Sequence, residues 1–216
     1  MNLAETGPSR GDAQRAGLLL HGRERLPEEM LDLADRLNLP AFRWVAPAAD
    51  GGTWYPHRFT DPFDINEPFI DEAMAACADA WKEVHDAGRL ASSRLAIVGF
   101  SQGACIASEY VLRHPGCCAV LVMFTGGVIG KDIRRWLVQG VRLEGLRVLL
   151  TGSDADEWIP ESRTRMTETV LTALGADVRL RIYRGRPHEV SDEEIAEARE
   201  LLGKIGLDNH NVTGRP

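Results

Sequence analysis

Six short apolar runs, at 17–20, 42–46, 95–100, 119–124, 147–150 and 178–183, recur along this chain with helix-like segments between them. Most are near-continuous rather than alternating, the pattern of strands covered on both faces of a parallel sheet. Parallel strands need a crossover between them, usually a helix. The alternation therefore predicts an α/β architecture, a mostly parallel central sheet with helices on both faces. The 216 residues fit one domain with a sizeable core, and neither an internal repeat nor a linker points to a second. The expected organisation is a domain over 16–205 between flexible tails at 1–15 and 206–216.

Helix punctuation agrees with this layout. Pro27, Glu28 and Glu29 mark one start, since proline is tolerated in a first turn and carboxylates suit the positive end of the helix dipole. Asn66 reads as an N-cap with Pro68 in the first turn and Gly88 as the stop. His114-Pro115 ends a helix that begins near residue 102, Pro160 opens the next, and Gly175 closes it. Ser191 with Glu194 forms a capping box. Two stretches, 48–66 and 127–145, lack a regular pattern, and long loops in a compact domain are commonly functional or mobile.

Composition narrows the function classes. A formal charge of −7 leaves no broad basic face, so a nucleic-acid partner is not expected; Arg134-Arg135 and Arg179 with Arg181 read as solvated surface. The first residues carry neither a basic segment nor an apolar run, and no apolar stretch approaches the ~20 residues of a membrane span. The cytoplasm is the expected compartment, with no integral membrane association. Cys77, Cys105, Cys117 and Cys118 show no C-x-x-C spacing and read as reduced, mostly buried thiols. The six histidines form no H-E-x-x-H pair, so no metal is expected. The triplet Asn211-Val212-Thr213 reads as a chance glycosylation pattern.

The chemistry concentrates at Gly99-Phe100-Ser101-Gln102-Gly103. This segment follows the run Leu95-Ala96-Ile97-Val98 and opens the helix-like Ala104 to Leu112 segment, the strand–turn–helix context of a nucleophile elbow. Such a serine sits on a sharp, strained turn, and a side chain at either flanking glycine would collide with the neighbouring strand or helix. Asp156 and His188 follow, each just past a predicted strand. All three thus fall at strand C-termini, where open α/β sheets build their sites, and in the order Ser, Asp, His. Asp154, two residues from Asp156, competes for the acid's role. Early in the chain a buried strand runs into His21-Gly22-Arg23. The Arg23 N–H there can face the N–H of Gln102 as a second oxyanion donor, with His21 as a brace for the loop. Taken alone, His21-Gly22 is an ordinary strand-end turn.

These segments, with Thr53-Trp54-Tyr55-Pro56, Asn66-Glu67-Pro68 and Asp156 through Pro160, make the chain resemble the small serine carboxylesterase/phospholipase family of α/β-hydrolases. Acyl-protein thioesterases belong to the same family, and the tryptophan loop and the Asn-Glu-Pro turn place the likeness in its bacterial carboxylesterase branch. The resemblance spans residues of about 18 to 200. It implies the α/β-hydrolase fold, a catalytic triad of Ser101, Asp156 and His188, an oxyanion hole from Arg23 and Gln102, and no cofactor. Anchoring on Ile159-Pro160 selects Asp156 over Asp154 as the triad acid. The implied partner is a small-molecule ester, and the chain is expected as a monomer or homodimer.

Departures accompany the resemblance. Relatives usually carry glycine where this chain has Glu24, and a carboxylate turned toward a developing oxyanion would oppose catalysis; Arg23 and Arg25 are expected to hold it outward. Glu157-Trp158 stand where Pro-His is common. Arg186-Pro187-His188-Glu189 stand where Gly-His and a small residue are common. The loop 48–66, with Trp54, Tyr55, His57, Phe59 and Phe63, is expected to fold over the strand tips as a wall or lid of the acyl pocket. Trp54, Tyr55, Phe59 and Trp158 are the substrate-binding candidates, while Met123-Phe124 fit pocket lining and plain core equally. Ester hydrolysis through an acyl-enzyme is the expected reaction. An acyl thioesterase or lysophospholipase is the alternative within enzymes, and a non-catalytic ligand-binding protein on the same scaffold is the alternative outside them.

Overall fold

The computed structural model describes residues 3–86 and 90–206. The stop read at Gly88, the triplet at Asn211 and the C-terminal tail from residue 207 onward lie outside the described residues. Among those residues seven strands form one sheet: β1 (Leu3–Thr6), β2 (Arg15–Leu20), β3 (Phe42–Pro47), β4 (Leu95–Phe100), β5 (Val120–Phe124), β6 (Arg147–Ser153) and β7 (Asp177–Tyr183). Their spatial order is β1-β3-β2-β4-β5-β6-β7. Every pairing is parallel except that of β1, which runs antiparallel along β3. The helices are α1 (Pro27–Leu37), α2 (Glu67–Asp86), α3 (Gln102–Arg113), the single turn α4 (Arg135–Val138), α5 (Glu161–Ala173) and α6 (Asp192–Gly203). None is long and apolar enough to cross a membrane.

The apolar runs are near-continuous because each central strand feeds two cores. Leu18, Leu20, Ile97, Leu121, Met123, Val148 and Leu150 face α2, α3 and α5, among residues such as Ile70, Met74, Ile106 and Leu171. Their neighbours Leu19, Ala96, Val98, Val120, Val122 and Leu149 face the opposite side, with Met30, Leu33, Ile195 and Ala198 of α1 and α6. Alternate residues thus serve alternate faces, and both faces are dry. Met123 and Phe124 are wholly buried in these cores. Three of the four cysteines are buried as well.

Two readings change here. Residues 3–6, expected within a flexible tail, form the edge strand β1, with Leu3 to Thr6 opposite Pro47 to Trp44 and Glu5 ion-paired to Arg43. Arg135, expected as solvated surface, lies 3.6 Å over the Phe63 ring centroid and 3.4 Å from the fully buried carboxylate of Glu109. Arg179 and Arg181 do sit at the surface, both on Glu197 of α6.

Candidate active site

Parallel topology brings the C-terminal ends of β4, β5, β6 and β7 to one edge, and the polar cluster is built there. β4 ends at Phe100 and α3 begins at Gln102, so Ser101 alone makes the turn between them. Its φ of 56° is in the left-handed region, which costs a non-glycine residue about 1–3 kcal/mol. The glycines around it are there for space. A Cβ on Gly99 would come within 2.5 Å of the Gly103 carbonyl oxygen, and one on Gly103 would strike the carbonyl oxygens of Leu20 and His21. Neither obstacle is a flexible side-chain end. Gly103→Ala should therefore cost about 3 kcal/mol or more through overpacking, read as a lower urea midpoint with an unchanged slope.

The three candidates of the triad meet in one hydrogen-bonded line. The Ser101 hydroxyl lies 2.8 Å from His188 Nε2, and His188 Nδ1 lies 2.8 Å from Asp156 Oδ2 and 3.0 Å from Oδ1. The carboxylate is an acceptor only, so Nδ1 carries the proton and Nε2 is free to accept from the serine. Asp156 Oδ1 also accepts the N–H groups of Trp158 and Ile159, each at 2.8 Å. Burial pushes the Asp156 pKa up, but His188 and these two N–H donors outweigh it and hold the carboxyl below its ordinary value. Asp154 is turned elsewhere: it is exposed, and its Oδ1 accepts the Gly185 N–H at 2.7 Å.

The His21-Gly22-Arg23 loop borders the serine. His21 Nε2 accepts the Ala49 N–H at 3.0 Å, which places the ring proton on Nδ1, 2.8 Å from the Gly22 carbonyl. Burial lowers the pKa of this imidazole, so it stays neutral as a brace. The backbone N–H of Arg23 meets no protein acceptor among the described residues. That of Gln102 starts α3, where intrahelical partners are absent and the helix dipole favours negative charge. Both residues line the cavity beside Ser101.

Glu24 has φ 57°, a conformation that favours glycine, and this accounts physically for the expected glycine there. Its residue is exposed and its N–H is tied to the Gly52 carbonyl at 2.8 Å. The expected arginine restraint is not what turns it outward. Arg25 binds Glu29, and the Arg23 guanidinium donates to the carbonyls of Tyr55 and His57.

A cavity of about 1080 Å³ opens over Ser101. Tyr55, Phe59, Phe100, Trp158 and Ile159 supply its apolar wall, with the Trp158 indole 65% exposed at the mouth and 6.5 Å from the His188 ring. Tyr55, Phe59 and Trp158 thus line this cavity. Trp54 does not line it, which corrects its reading as a substrate-binding residue: its indole lies tilted against the His21 ring with centroids 4.9 Å apart, donates to the His21 carbonyl at 2.8 Å and walls a separate cavity against α2. It props the loop instead of lining the pocket. Asn66 holds the N-cap position, its carbonyl accepting the Ile70 N–H at 2.9 Å, but its side chain departs from that reading. Its carboxamide accepts the His57 N–H and donates to the Arg58 carbonyl, pinning the pocket loop instead of capping α2.

Sequence reasoning missed the second role of Gln102, whose side chain accepts from the Trp54 N–H at 3.0 Å and donates to the Tyr55 carbonyl at 2.7 Å. It also missed Phe100 as wall and Arg186 as a buried cation. Among the described residues no three His, Cys, Asp or Glu side chains converge where a metal could sit.

The chain matches the phospholipase/carboxylesterase family model over residues 2–205. No curated protein sequence matches it. Among solved structures it is similar to a phospholipase/carboxylesterase from Dyadobacter fermentans, at 29% identity and TM-score 0.86, over 94% of this chain and 96% of that one. Esterase PE8 follows at 25% identity and TM-score 0.79, over 94% and 97% of the two chains. A carboxylesterase from Mesorhizobium loti shares the fold at 24% identity and TM-score 0.72, over 91% and 90%. With the family model covering nearly the whole sequence, the chain belongs to the phospholipase/carboxylesterase family of α/β-hydrolases.

Proposed function

We propose that this protein hydrolyses carboxylic esters with small, apolar acyl groups through an acyl-enzyme on Ser101. One observation carries the reading: Ser101, His188 and Asp156 are already joined by bonds of 2.8 Å in the proton-transfer direction, beneath an open cavity. Ser101 Oγ attacks the substrate carbonyl as its proton passes to His188 Nε2. The N–H groups of Arg23 and Gln102 receive the oxyanion, and losing one such donor costs about 10²–10³ in rate. Collapse breaks the ester C–O bond, and the leaving alcohol takes the proton from the imidazolium. Water then repeats the cycle: His188 accepts its proton, hydroxide adds to the acyl carbon, and the acid departs as Ser101 regains its hydrogen. Asp156 keeps the Nδ1 proton in place and stabilises the imidazolium throughout.

The apolar wall of Tyr55, Phe59, Phe100 and Trp158 suits an acyl chain or aromatic ring. Glu24, the only feature that favoured a non-catalytic binding protein, lies at the exposed rim of the cavity, which supports turnover instead. Purified protein should hydrolyse short- and medium-chain p-nitrophenyl esters and take up a serine-directed phosphonate on the peptide containing Ser101. Folded protein that does neither would sink the reading. Matched oxygen and sulfur esters then separate esterase from thioesterase preference.

A further inference from the structure

Just before His188 stands a cation with no role in the reaction as written. Arg186 is 7% exposed, and burying a guanidinium is costly unless it is paired and hydrogen-bonded. Its bonds have a common target. Nη1 donates to the carbonyls of Pro187 at 2.7 Å and Glu189 at 2.5 Å, the residues on either side of His188. Nη2 donates to Thr125 Oγ1 at 2.9 Å, one residue beyond Phe124, whose carbonyl accepts the Ser101 N–H at 2.9 Å. The Arg186 carbonyl accepts from Ser153 Oγ at 2.6 Å, and that oxygen in turn accepts the N–H of Ala155, the neighbour of Asp156. Nε faces Glu194 Oε2 at 3.2 Å.

Glu194 fixes this cation to the scaffold. Its carboxylate accepts from the N–H and hydroxyl of Ser191, which caps α6, and from Thr151 Oγ1. Thr151 Oγ1 also accepts the Thr125 N–H at 3.3 Å. Thr125 has φ 55°, which is strained for a β-branched residue. Glycine would take that conformation freely, whereas threonine supplies the acceptor that Arg186 uses.

We infer that Arg186, seated on Glu194 and Thr125, is a positioning residue that holds the loops of Ser101, Asp156 and His188 in register. This rests on the ester-hydrolase reading. The planar fork reaches both flanks of His188 and the neighbouring strand end at once, which a single lysine ammonium cannot do. Displacing the imidazole by about 1 Å can cost on the order of 10²-fold in rate.

The test compares wild type, Ser101→Ala, Arg186→Met, Arg186→Lys and Thr125→Ala as folded full-length protein. Two readouts are needed: kcat and KM on a nitrophenyl ester, and the far-downfield proton resonance of His188 Nδ1–H, identified by its loss in Asp156→Ala. Arg186→Met should lower kcat about 100-fold with KM within threefold, and broaden or remove the resonance. Arg186→Lys should recover only part of both, and Thr125→Ala should lower kcat several-fold. If the Arg186 variants melt earlier yet keep wild-type kcat and resonance, the network is only a structural staple and the inference is overturned. Should Arg186→Met fail to fold, Thr125→Ala decides, because it removes one guanidinium bond and leaves the pair with Glu194; unchanged kcat and resonance there would overturn the inference. A wild type with no Ser101-dependent turnover would defeat the esterase reading instead, and the resonance would still test the clamp.

Discussion

Ser101→Ala should lower kcat for ester hydrolysis by about 10⁴- to 10⁶-fold while leaving the protein folded. The substitution deletes one oxygen and its bond to His188 Nε2. Because Ser101 is only half-buried, that bond contributes about 1 kcal/mol to stability. The backbone strain at φ 56° is the same for alanine, so the elbow is not relieved by the change. What is lost is the nucleophile: His188 can still activate water, and the oxyanion donors remain, but no acyl-enzyme can form. Initial rates on a nitrophenyl ester, alongside thermal melts by circular dichroism, check both halves. A folded Ser101→Ala protein within tenfold of wild type would place the nucleophile elsewhere.

The elbow was legible because its constraints are local. Gly99, Ser101 and Gly103 lie within five residues, and a side chain at Gly99 would collide with the helix the motif itself opens, while one at Gly103 would strike the end of the adjacent strand β2. The sheet was legible because Leu18, Leu19 and Leu20 face opposite cores in turn, leaving a run with no polar position. β1 escaped notice for the opposite reason: Leu3–Thr6 is short, half-buried and paired on one side only, so nothing in it separates an edge strand from a tail. Trp54 and Asn66 show a second limit. An aromatic in a pocket loop fits wall and prop equally, and an asparagine before a helix fits cap and brace equally; distant partners decide, His21 for one and His57 for the other. Arg186 was noticed only as a departure. Its bond to Thr125 spans 61 positions, and buried polar networks of that reach have no period to read.

Asp156→Asn should lower kcat about 10⁴-fold, whereas Asp154→Asn should stay within about threefold, though the two carboxylates are two residues apart. The difference follows from their bonds. Asp156 Oδ1 is already committed to the N–H groups of Trp158 and Ile159. An asparagine must keep its oxygen there, since the alternative sets an NH₂ against two donors. Its NH₂ then falls where Oδ2 faces His188 Nδ1. Two donors cannot share that contact, so Nδ1 becomes the acceptor and the ring proton moves to Nε2. In that tautomer His188 cannot take the Ser101 proton, and the loss appears in kcat with the fold intact. At Asp154 the only side-chain bond among the described residues is one accepted from the Gly185 N–H at the exposed surface, and an asparagine oxygen accepts it equally well. Steady-state kinetics on the two variants therefore read the orientation of a single imidazole. The reverse ranking would mean that the acid bound to His188 during turnover is Asp154, and that the β6 loop must rearrange before the serine can attack.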